Sequence, residues 1–237
     1  ADFTAKFPNT QLVTYDPVSC SAMLQANEES FGQRVIPGYH FDRAQVIVSF
    51  DADFLGTWIS PIEFASQYAR RRRIEDPKKA EMSRHIQVES HMSLTGSNAN
   101  NRILVKPSQQ GAAIVALYNA LAAGMGRPRV SGPQLSEVQT AKINKVAAQL
   151  AANSGRSLVV AGSNNMGEQV LVNAINYMLG NYGQTIDFVN PSLQRQGLDR
   201  DIQNLISEMN AGRVDAVFVM DGANPAWDVP NAAQFRE

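Results

Sequence analysis

The sequence predicts an α/β protein built from two Rossmann-like lobes with mainly parallel sheets. Short apolar runs rich in β-branched residues alternate with longer segments of helical periodicity. The alternation occurs both before and after residues 124–133, which are dense in glycine and proline. Such alternation is typical of a parallel sheet that helices cover on both faces. We therefore expect a first lobe over residues 1–130, with an irregular N-terminal segment, and a second lobe over residues 131–237.

The first lobe contains three predicted strands and three predicted helices. Ser60, Pro61 and Glu63 have the pattern of a helix start, with a capping serine, a proline in the first turn and the glutamate of a capping box. The predicted strands are residues 44–50, 84–89 and 102–105, the last of them at a sheet edge. The predicted helices are residues 21–31, 60–72 and 108–122, with Gly32 ending the first and Ser108 capping the third.

The second lobe ends in the most informative segment of the chain. Residues 214–220 form an apolar run typical of a buried parallel strand, and a Gly-x-Asn-Pro loop follows at residues 222–225. Ligands of open α/β sheets bind at that carboxyl edge, although the same loop also occurs as a simple turn. Upstream, we expect strands at residues 157–162 and 186–189 and helices at 136–151, 166–179 and between 199 and 212. Because we expect no closing helix after the last strand, we interpret the chain as a piece of a longer protein.

The composition excludes several classes of protein. The chain has 21 basic and 22 acidic residues, so it lacks the basic surplus of nucleic-acid-binding proteins, and we expect no nucleic-acid partner. The run of arginines at residues 70–73 falls at a predicted helix end, where cations suit the helix dipole. One cysteine, Cys20, allows neither an internal disulfide nor a Cys-x-x-Cys metal site. No apolar run approaches the roughly 18 residues of a membrane span.

Two polar loops at predicted strand ends are the candidate ligand sites. The three histidines and the single cysteine form no recognisable nucleophilic arrangement, and no glycine-rich phosphate motif follows a strand. Small polar loops can instead turn backbone N–H groups towards a phosphate. The candidate cofactor-binding residues are Gly162, Ser163, Asn164, Asp221, Gly222, Asn224 and Pro225. A third loop carries Asp51 and Asp53, which would repel a pyrophosphate; a metal site and a solvated acidic loop both stay open for this pair.

Several motifs resemble the molybdopterin oxidoreductases. They are residues 222–225 with residues 178–183 upstream, residues 42–48, and residues 107–113. A narrower likeness joins residues 49–58, 82–90 and 92–99 to the molybdopterin-like domain of the large iron–sulfur subunit of alternative complex III, a bacterial quinol oxidoreductase. Proteins of this group have also been described as hydrogenase-like iron–sulfur proteins. The resemblance covers about residues 12–235.

The chain departs from that family at two phosphate-binding motifs. Residues 51–54 read Asp-Ala-Asp-Phe where the family has its first Gly-x-Asn-Pro loop, and residues 89–91 read Glu-Ser-His where it has Asp-Pro-Arg. One change adds negative charge and the other removes a bidentate cation, so both weaken the binding of phosphates. The resemblance therefore implies a non-catalytic scaffold domain of an iron–sulfur subunit in a membrane-associated, quinol-oxidising electron-transfer complex of a respiratory chain.

The resemblance also implies partners, cofactors and a location. No cofactor is expected in this fragment, and iron–sulfur clusters are expected only in a C-terminal part outside the sequence. The expected partners are that cluster domain and other subunits of a membrane respiratory complex, on the periplasmic side of the inner membrane and peripheral to it. The alternative is an active oxidoreductase domain that binds molybdopterin guanine dinucleotide through the candidate residues, with Cys20 near the metal. A nucleotide-binding regulatory domain is a third hypothesis.

Overall fold

The computed structural model describes residues 2–74, 76–220 and 222–237. The strands in these ranges are β1 (Ile36–Tyr39), β2 (Val46–Phe50), β3 (Arg84–Glu89), β4 (Asn101–Leu104), β5 (Ser157–Ala161) and β6 (Ile186–Ser192). The helices are α1 (Asp2–Lys6), α2 (Ser21–Phe31), α3 (Pro61–Arg72), α4 (Leu94–Ser97), α5 (Gln110–Gly124), α6 (Glu137–Ala151), α7 (Met166–Met178), α8 (Asp199–Asn210), α9 (Pro225–Asp228) and α10 (Ala232–Arg236). None of the helices in the described ranges is both long and apolar enough to cross a membrane.

A four-stranded parallel sheet forms the centre of the fold, and it confirms the predicted α/β class. Its strand order is β4-β3-β2-β5. The chain moves outwards from β2 to β3 and β4, then returns to place β5 on the other side of β2. Ligands of open parallel sheets bind at such a reversal, outside the carboxyl ends of the two strands. The fold therefore directs attention to the carboxyl ends of β2 and β5.

Helices cover both faces of this sheet because the side chains of its strands alternate between two apolar clusters. Val48 and Phe50 face the helices α5, α6 and α7, which supply residues such as Leu117 and Leu150. On the other face, the cluster around Ile47 takes in side chains of α2, α3 and the β1–β6 pair. All five residues of β2 are buried, as the central strand of a doubly covered sheet must be.

The parallel sheet extends across the predicted lobe boundary at residue 130. The whole of β5 pairs with β2, from Ser157 beside Val46 to Ala161 beside Phe50. The division into two lobes stays a prediction, but it does not divide this sheet. The glycine- and proline-rich stretch is also attached to α5: the Asn119 side chain donates to the carbonyl of Val130 and accepts from its N–H, both at 2.9 Å.

The predicted strand at residues 214–220 is wrong. No strand occurs over these residues, and the side chains of Phe218 and Met220 are about three-quarters exposed, at 75% and 74%. The expectation that no helix follows this segment is also wrong, because α9 and α10 do so. The strand predicted near residue 186 is confirmed as β6, which pairs antiparallel with β1 in a separate two-stranded sheet.

Side chains close the free edge of β5, which explains why residues 214–220 do not extend the sheet. The Asn176 amide accepts from Val159 N–H at 3.1 Å and donates to Val159 carbonyl at 2.8 Å, as a neighbouring strand would do. Thr185 and Gln169 donate to the carbonyls of two further β5 residues, Ser157 and Ala161. Because these main-chain groups already have partners, they are not available to pair with a fifth parallel strand at this edge.

The predicted helices start near the expected residues, but three of the expected capping contacts do not form. Pro61 does begin α3, but the Ser60 hydroxyl makes no capping bond and Glu63 accepts from Gln67 instead. Likewise, Ser108 does not cap α5, since a short 3₁₀ turn at Pro107–Gln109 precedes that helix. Asp199 is the first residue of α8 and not its cap.

Candidate functional site

A cleft of about 140 Å³ lies at the carboxyl ends of β2 and β5, where the strand order reverses. The loops that follow these two strands form its floor. The segment before α2, Trp58, Gln169 of α7 and Arg195 complete the walls. The cleft therefore occupies the place in the fold where open α/β sheets bind ligands.

The loop after β5 is packed directly against the loop after β2. Gly162 donates its N–H to Phe50 carbonyl at 2.8 Å. A Cβ atom at Gly162 would lie 2.5 Å from the Asp51 carbonyl oxygen, so glycine is required by this close approach. Ser163 also lines the cleft, and its hydroxyl accepts from the N–H of Asn165 at 3.1 Å. Gly162 and Ser163 thus lie where a ligand-binding loop was predicted.

The acidic pair after β2 has two different environments. Asp53 accepts from the N–H of Thr95 at 2.9 Å and from its hydroxyl at 2.7 Å, so this carboxylate attaches the β2 loop to α4. Asp51 has a left-handed backbone with φ of 52°, and its carboxylate lies 4.0 Å from the His91 ring. Burial raises the pKa of Asp51; His91 opposes this effect, whereas Glu89 and Asp53 add to it. Neither acid is simply solvated.

Glu89 is the most buried acid beside the cleft. Its carboxylate accepts from the Arg102 guanidinium at 2.6 Å and from the Ser93 hydroxyl at 2.7 Å. The charge of Glu89 is therefore matched inside the protein by Arg102. In the described part of the chain, no three histidine, cysteine or acidic side chains come together as a metal-binding group.

Cys20 and Arg195 interact with each other in the lining of the cleft. The Cys20 thiol is buried, and burial raises its pKa, an effect that the nearby Arg195 charge counteracts. Arg195 has φ of 50° and donates to Thr57 carbonyl at 3.1 Å. Sequence reasoning missed Arg195 because it lies in an irregular segment without periodicity. Long-range bonds position that segment, among them Gly197 N–H to Asp16 at 2.8 Å.

The remaining predicted residue of the β5 loop connects two helices. The Asn164 carbonyl oxygen accepts from Ala22 N–H at 2.9 Å, and its amide donates to Asp199 at 2.8 Å. These bonds join the first turn of α2 to the first turn of α8. Asn164 therefore uses both ends of its amide within the protein and does not line the cleft.

The second predicted loop lies in a different environment from the first. Gly222 has φ of 72°, the left-handed turn geometry expected of it, and Asp221 lies outside the described residues. Asn224 N–H donates to the Tyr15 hydroxyl at 2.9 Å, and Pro225 is buried as the first residue of α9. These groups adjoin a small apolar cluster between α8 and the short C-terminal helices, and they do not line the cleft.

The cleft does not fit a molybdopterin guanine dinucleotide. Pockets for drug-sized ligands span roughly 300–1,000 Å³, and this cleft has about 140 Å³. Two carboxylates, Asp51 and Asp53, face the space where a pyrophosphate would need cations or N–H donors. The Asn164 amide, which could have bound a nucleotide, already has protein partners.

No family model matches the chain, and no curated protein matches it.

Proposed function

We propose that this chain is a catalytically silent, molybdopterin-oxidoreductase-like scaffold domain of an iron–sulfur subunit in a membrane-associated, quinol-oxidising electron-transfer complex. In this role the domain binds no pterin cofactor and packs against a cluster-bearing domain and neighbouring subunits. It lies peripherally on the periplasmic side of the membrane. The resemblance of residues 49–58, 82–90 and 92–99 supports the choice of family, and the residues that line the cleft support the absence of a bound cofactor.

A single observation carries the proposal: the side chains at the positions where the family binds phosphates are bonded to other residues of this chain. Asp53 is bonded to Thr95, Glu89 to Arg102, and Asn164 to Ala22 and Asp199. Groups that a dinucleotide would have to engage instead connect helices and loops of the chain itself. A pyrophosphate needs cations or N–H donors, whereas two of these positions carry carboxylates and the third, Asn164, already has protein partners.

Exposed apolar side chains support the packing role. Phe3 lies between two other exposed rings, with centroid distances of 4.8 Å to Phe7 and 6.1 Å to Phe218. Met220, two residues along the extended segment, is also exposed. Contiguous exposed apolar groups of this kind are typical of surfaces that contact another protein.

Metal and pterin analysis of the natively purified protein tests the absence of cofactor. We expect stoichiometric iron from the associated clusters but neither molybdenum nor tungsten, and no fluorescent pterin after oxidative extraction. Stoichiometric molybdenum together with pterin would contradict the scaffold and would support the alternative, an active domain that binds molybdopterin guanine dinucleotide. In that case Cys20→Ser would abolish turnover, whereas a scaffold tolerates this substitution.

Paired surface substitutions test the packing role. Phe218→Ser should weaken the association with the iron-containing subunits by about tenfold, because interface aromatics often contribute more than about 1 kcal/mol. Val189→Ser removes an apolar side chain that is even more exposed, at 86%, from another part of the surface and serves as the control. Equal retention of iron by both variants during native purification would show that residues near Phe218 do not contact a partner.

A further inference from the structure

Two opposite charges, Arg195 and Asp51, line the cleft. In the described part of the chain, no carboxylate lies within 4.0 Å of the Arg195 guanidinium. Its bond to Thr57 carbonyl and its contact with the Cys20 thiol position the side chain and leave N–H donors for a ligand. Asp51, from the β2 loop, has the His91 ring as an ionic neighbour at 4.0 Å, and no lysine or arginine among the described residues lies that close to it. The cleft therefore offers both a cation and an anion to a ligand.

The size of the cleft limits the ligand to a few atoms. A closed apolar cavity of about 150 Å³ holds a molecule the size of benzene, and this cleft has about 140 Å³. A molecule with roughly five to ten non-hydrogen atoms therefore fills the cleft. This size favours small metabolites over nucleotides.

The charge arrangement selects among small molecules. A simple anion would pair with Arg195 but would also face Asp51 and Asp53. A simple cation would satisfy the acids but would leave Arg195 unpaired in a partly desolvated site. A ligand that carries one charge of each sign avoids both penalties. The side chains of Trp58 and Met23 add an apolar wall that can receive a short aliphatic group.

We propose that this cleft binds a small zwitterion, of which a free α-amino acid with a short side chain is the simplest example. Its carboxylate pairs with the Arg195 guanidinium, and its ammonium group pairs with the Asp51 carboxylate. Binding requires neither a cofactor nor a chemical step, so this proposal is independent of the scaffold role. It gives the cleft a regulatory or stabilising ligand in place of a dinucleotide.

The walls are already rigid, which favours binding by such a small ligand. Gly162 donates its N–H to Phe50 carbonyl at 2.8 Å and leaves no room for a Cβ atom beside the Asp51 carbonyl oxygen, so the loop that carries Asp51 is closely packed. Trp58 is buried against the ring of Tyr39, with centroids 5.2 Å apart. A preorganised site loses little conformational entropy on binding, and this loss otherwise exceeds what a few contacts can supply.

Isothermal titration calorimetry on the full chain, with glycine, L-alanine and L-serine as separate probes, tests the proposal. We expect saturable binding of at least one of them, with a dissociation constant on the order of 1 mM. Sodium acetate and methylammonium chloride each carry only one of the two charges, and each should bind at least about tenfold more weakly. Acetate that binds as tightly as glycine would overturn the zwitterion, and so would the absence of saturable heat from all three amino acids.

Two variants locate the site. Arg195→Gln and Asp51→Asn should each weaken binding by at least about tenfold, since each removes one charge pair. Asparagine tolerates the left-handed backbone at position 51, so this second variant keeps the loop geometry. Arg200→Gln and Asp76→Asn change exposed charges that do not line the cleft and serve as controls. Unchanged affinity in folded Asp51→Asn protein would overturn the proposed site even where Arg195→Gln does not fold.

Discussion

His85 lies inside the protein with both ring nitrogens in hydrogen bonds. Its Nδ1 atom is 3.1 Å from the Tyr68 hydroxyl, and its Nε2 atom is 3.1 Å from the side-chain amide oxygen of Gln87. The ring of Phe54, from the loop that also carries the cleft acids, packs 5.2 Å from the imidazole. Burial lowers the pKa of His85 to about 4. This histidine is therefore an uncharged structural group at neutral pH.

The free energy of unfolding should fall in acid because of His85. In the unfolded chain the imidazole titrates near pH 6.5, whereas in the folded protein its pKa is about 4. Between these values the unfolded state binds more protons, so stability is full above about pH 6.5 and is lost as the pH falls towards 4. The loss from this group reaches about 3 kcal/mol. Urea unfolding at a series of pH values measures it.

His85→Gln should flatten that pH dependence, even though the variant is less stable at every pH. If the slope between pH 6.5 and 4 is the same in the parent protein and in the variant, His85 is not the group responsible.

At the scale of single elements, two serines with similar sequence signals differ in effect. Ser136 forms a complete capping box with Gln139 at the start of α6, whereas Ser60 makes no capping bond at the start of α3. Ser136→Ala should therefore lower the free energy of unfolding by about 1 kcal/mol. Ser60→Ala should change it by less than about 0.5 kcal/mol. Equal losses in chemical denaturation would contradict the difference in capping.

In the middle of the closed edge of β5, the Asn176 amide makes both bonds to the main chain of Val159. Asn176→Ala leaves the N–H and carbonyl of Val159 buried without partners, and it should lower the free energy of unfolding by about 3 kcal/mol. Asn204→Ala is the same substitution at an exposed position of α8 and should cost under about 1 kcal/mol.

Hydrogen exchange gives a local readout of the same substitution. The Val159 amide should be strongly protected in the parent protein and should exchange faster in the Asn176→Ala variant than global destabilisation explains. Amides of residues 216–219, which form no strand ladder, should exchange with little protection in both proteins. Strong protection of residues 216–219 would show that they are paired after all.

At the scale of the whole molecule, the sheet makes the two predicted lobes interdependent. A fragment that ends at residue 130 lacks β5 and α7, so it exposes one side of β2 and much of the apolar cluster under α5. We expect such a fragment to show no cooperative thermal transition by circular dichroism, while the full chain unfolds in one step. A cooperative transition in the isolated fragment would instead establish the first lobe as an independent domain.

Local patterns predicted most of the secondary structure correctly. The strands β2, β3, β4 and β5 and the long helices carry strong periodic or apolar signals, and several of the helices begin or end beside a glycine or proline. These signals depend on neighbours in sequence, so they can be read without the fold. The parallel α/β class followed from the order of these elements, because few topologies suit that alternation.

The candidate site was predictable only in part. Gly162 and Ser163 could be placed at a strand end, and the carboxyl edge of a parallel sheet is a general ligand-binding location. Arg195 could not be placed, since it reaches the cleft through bonds between residues more than a hundred positions apart, such as its own to Thr57. The apolar run at residues 214–220 gave a false strand. Its residues favour β-structure, but the main-chain groups at the free edge of β5 already have side-chain partners.

The sequence by itself determined where the four strands of the main sheet and the long helices lie, and that this sheet is parallel. Only the tertiary structure decided that β5 joins β2, that Asn176 closes the edge beyond it, and that Asp51 and Arg195 line one small cleft. The physical reason is the range of the interactions. Periodicity and capping act between residues a few positions apart, whereas edge pairing and site assembly depend on groups that meet only after the chain has folded.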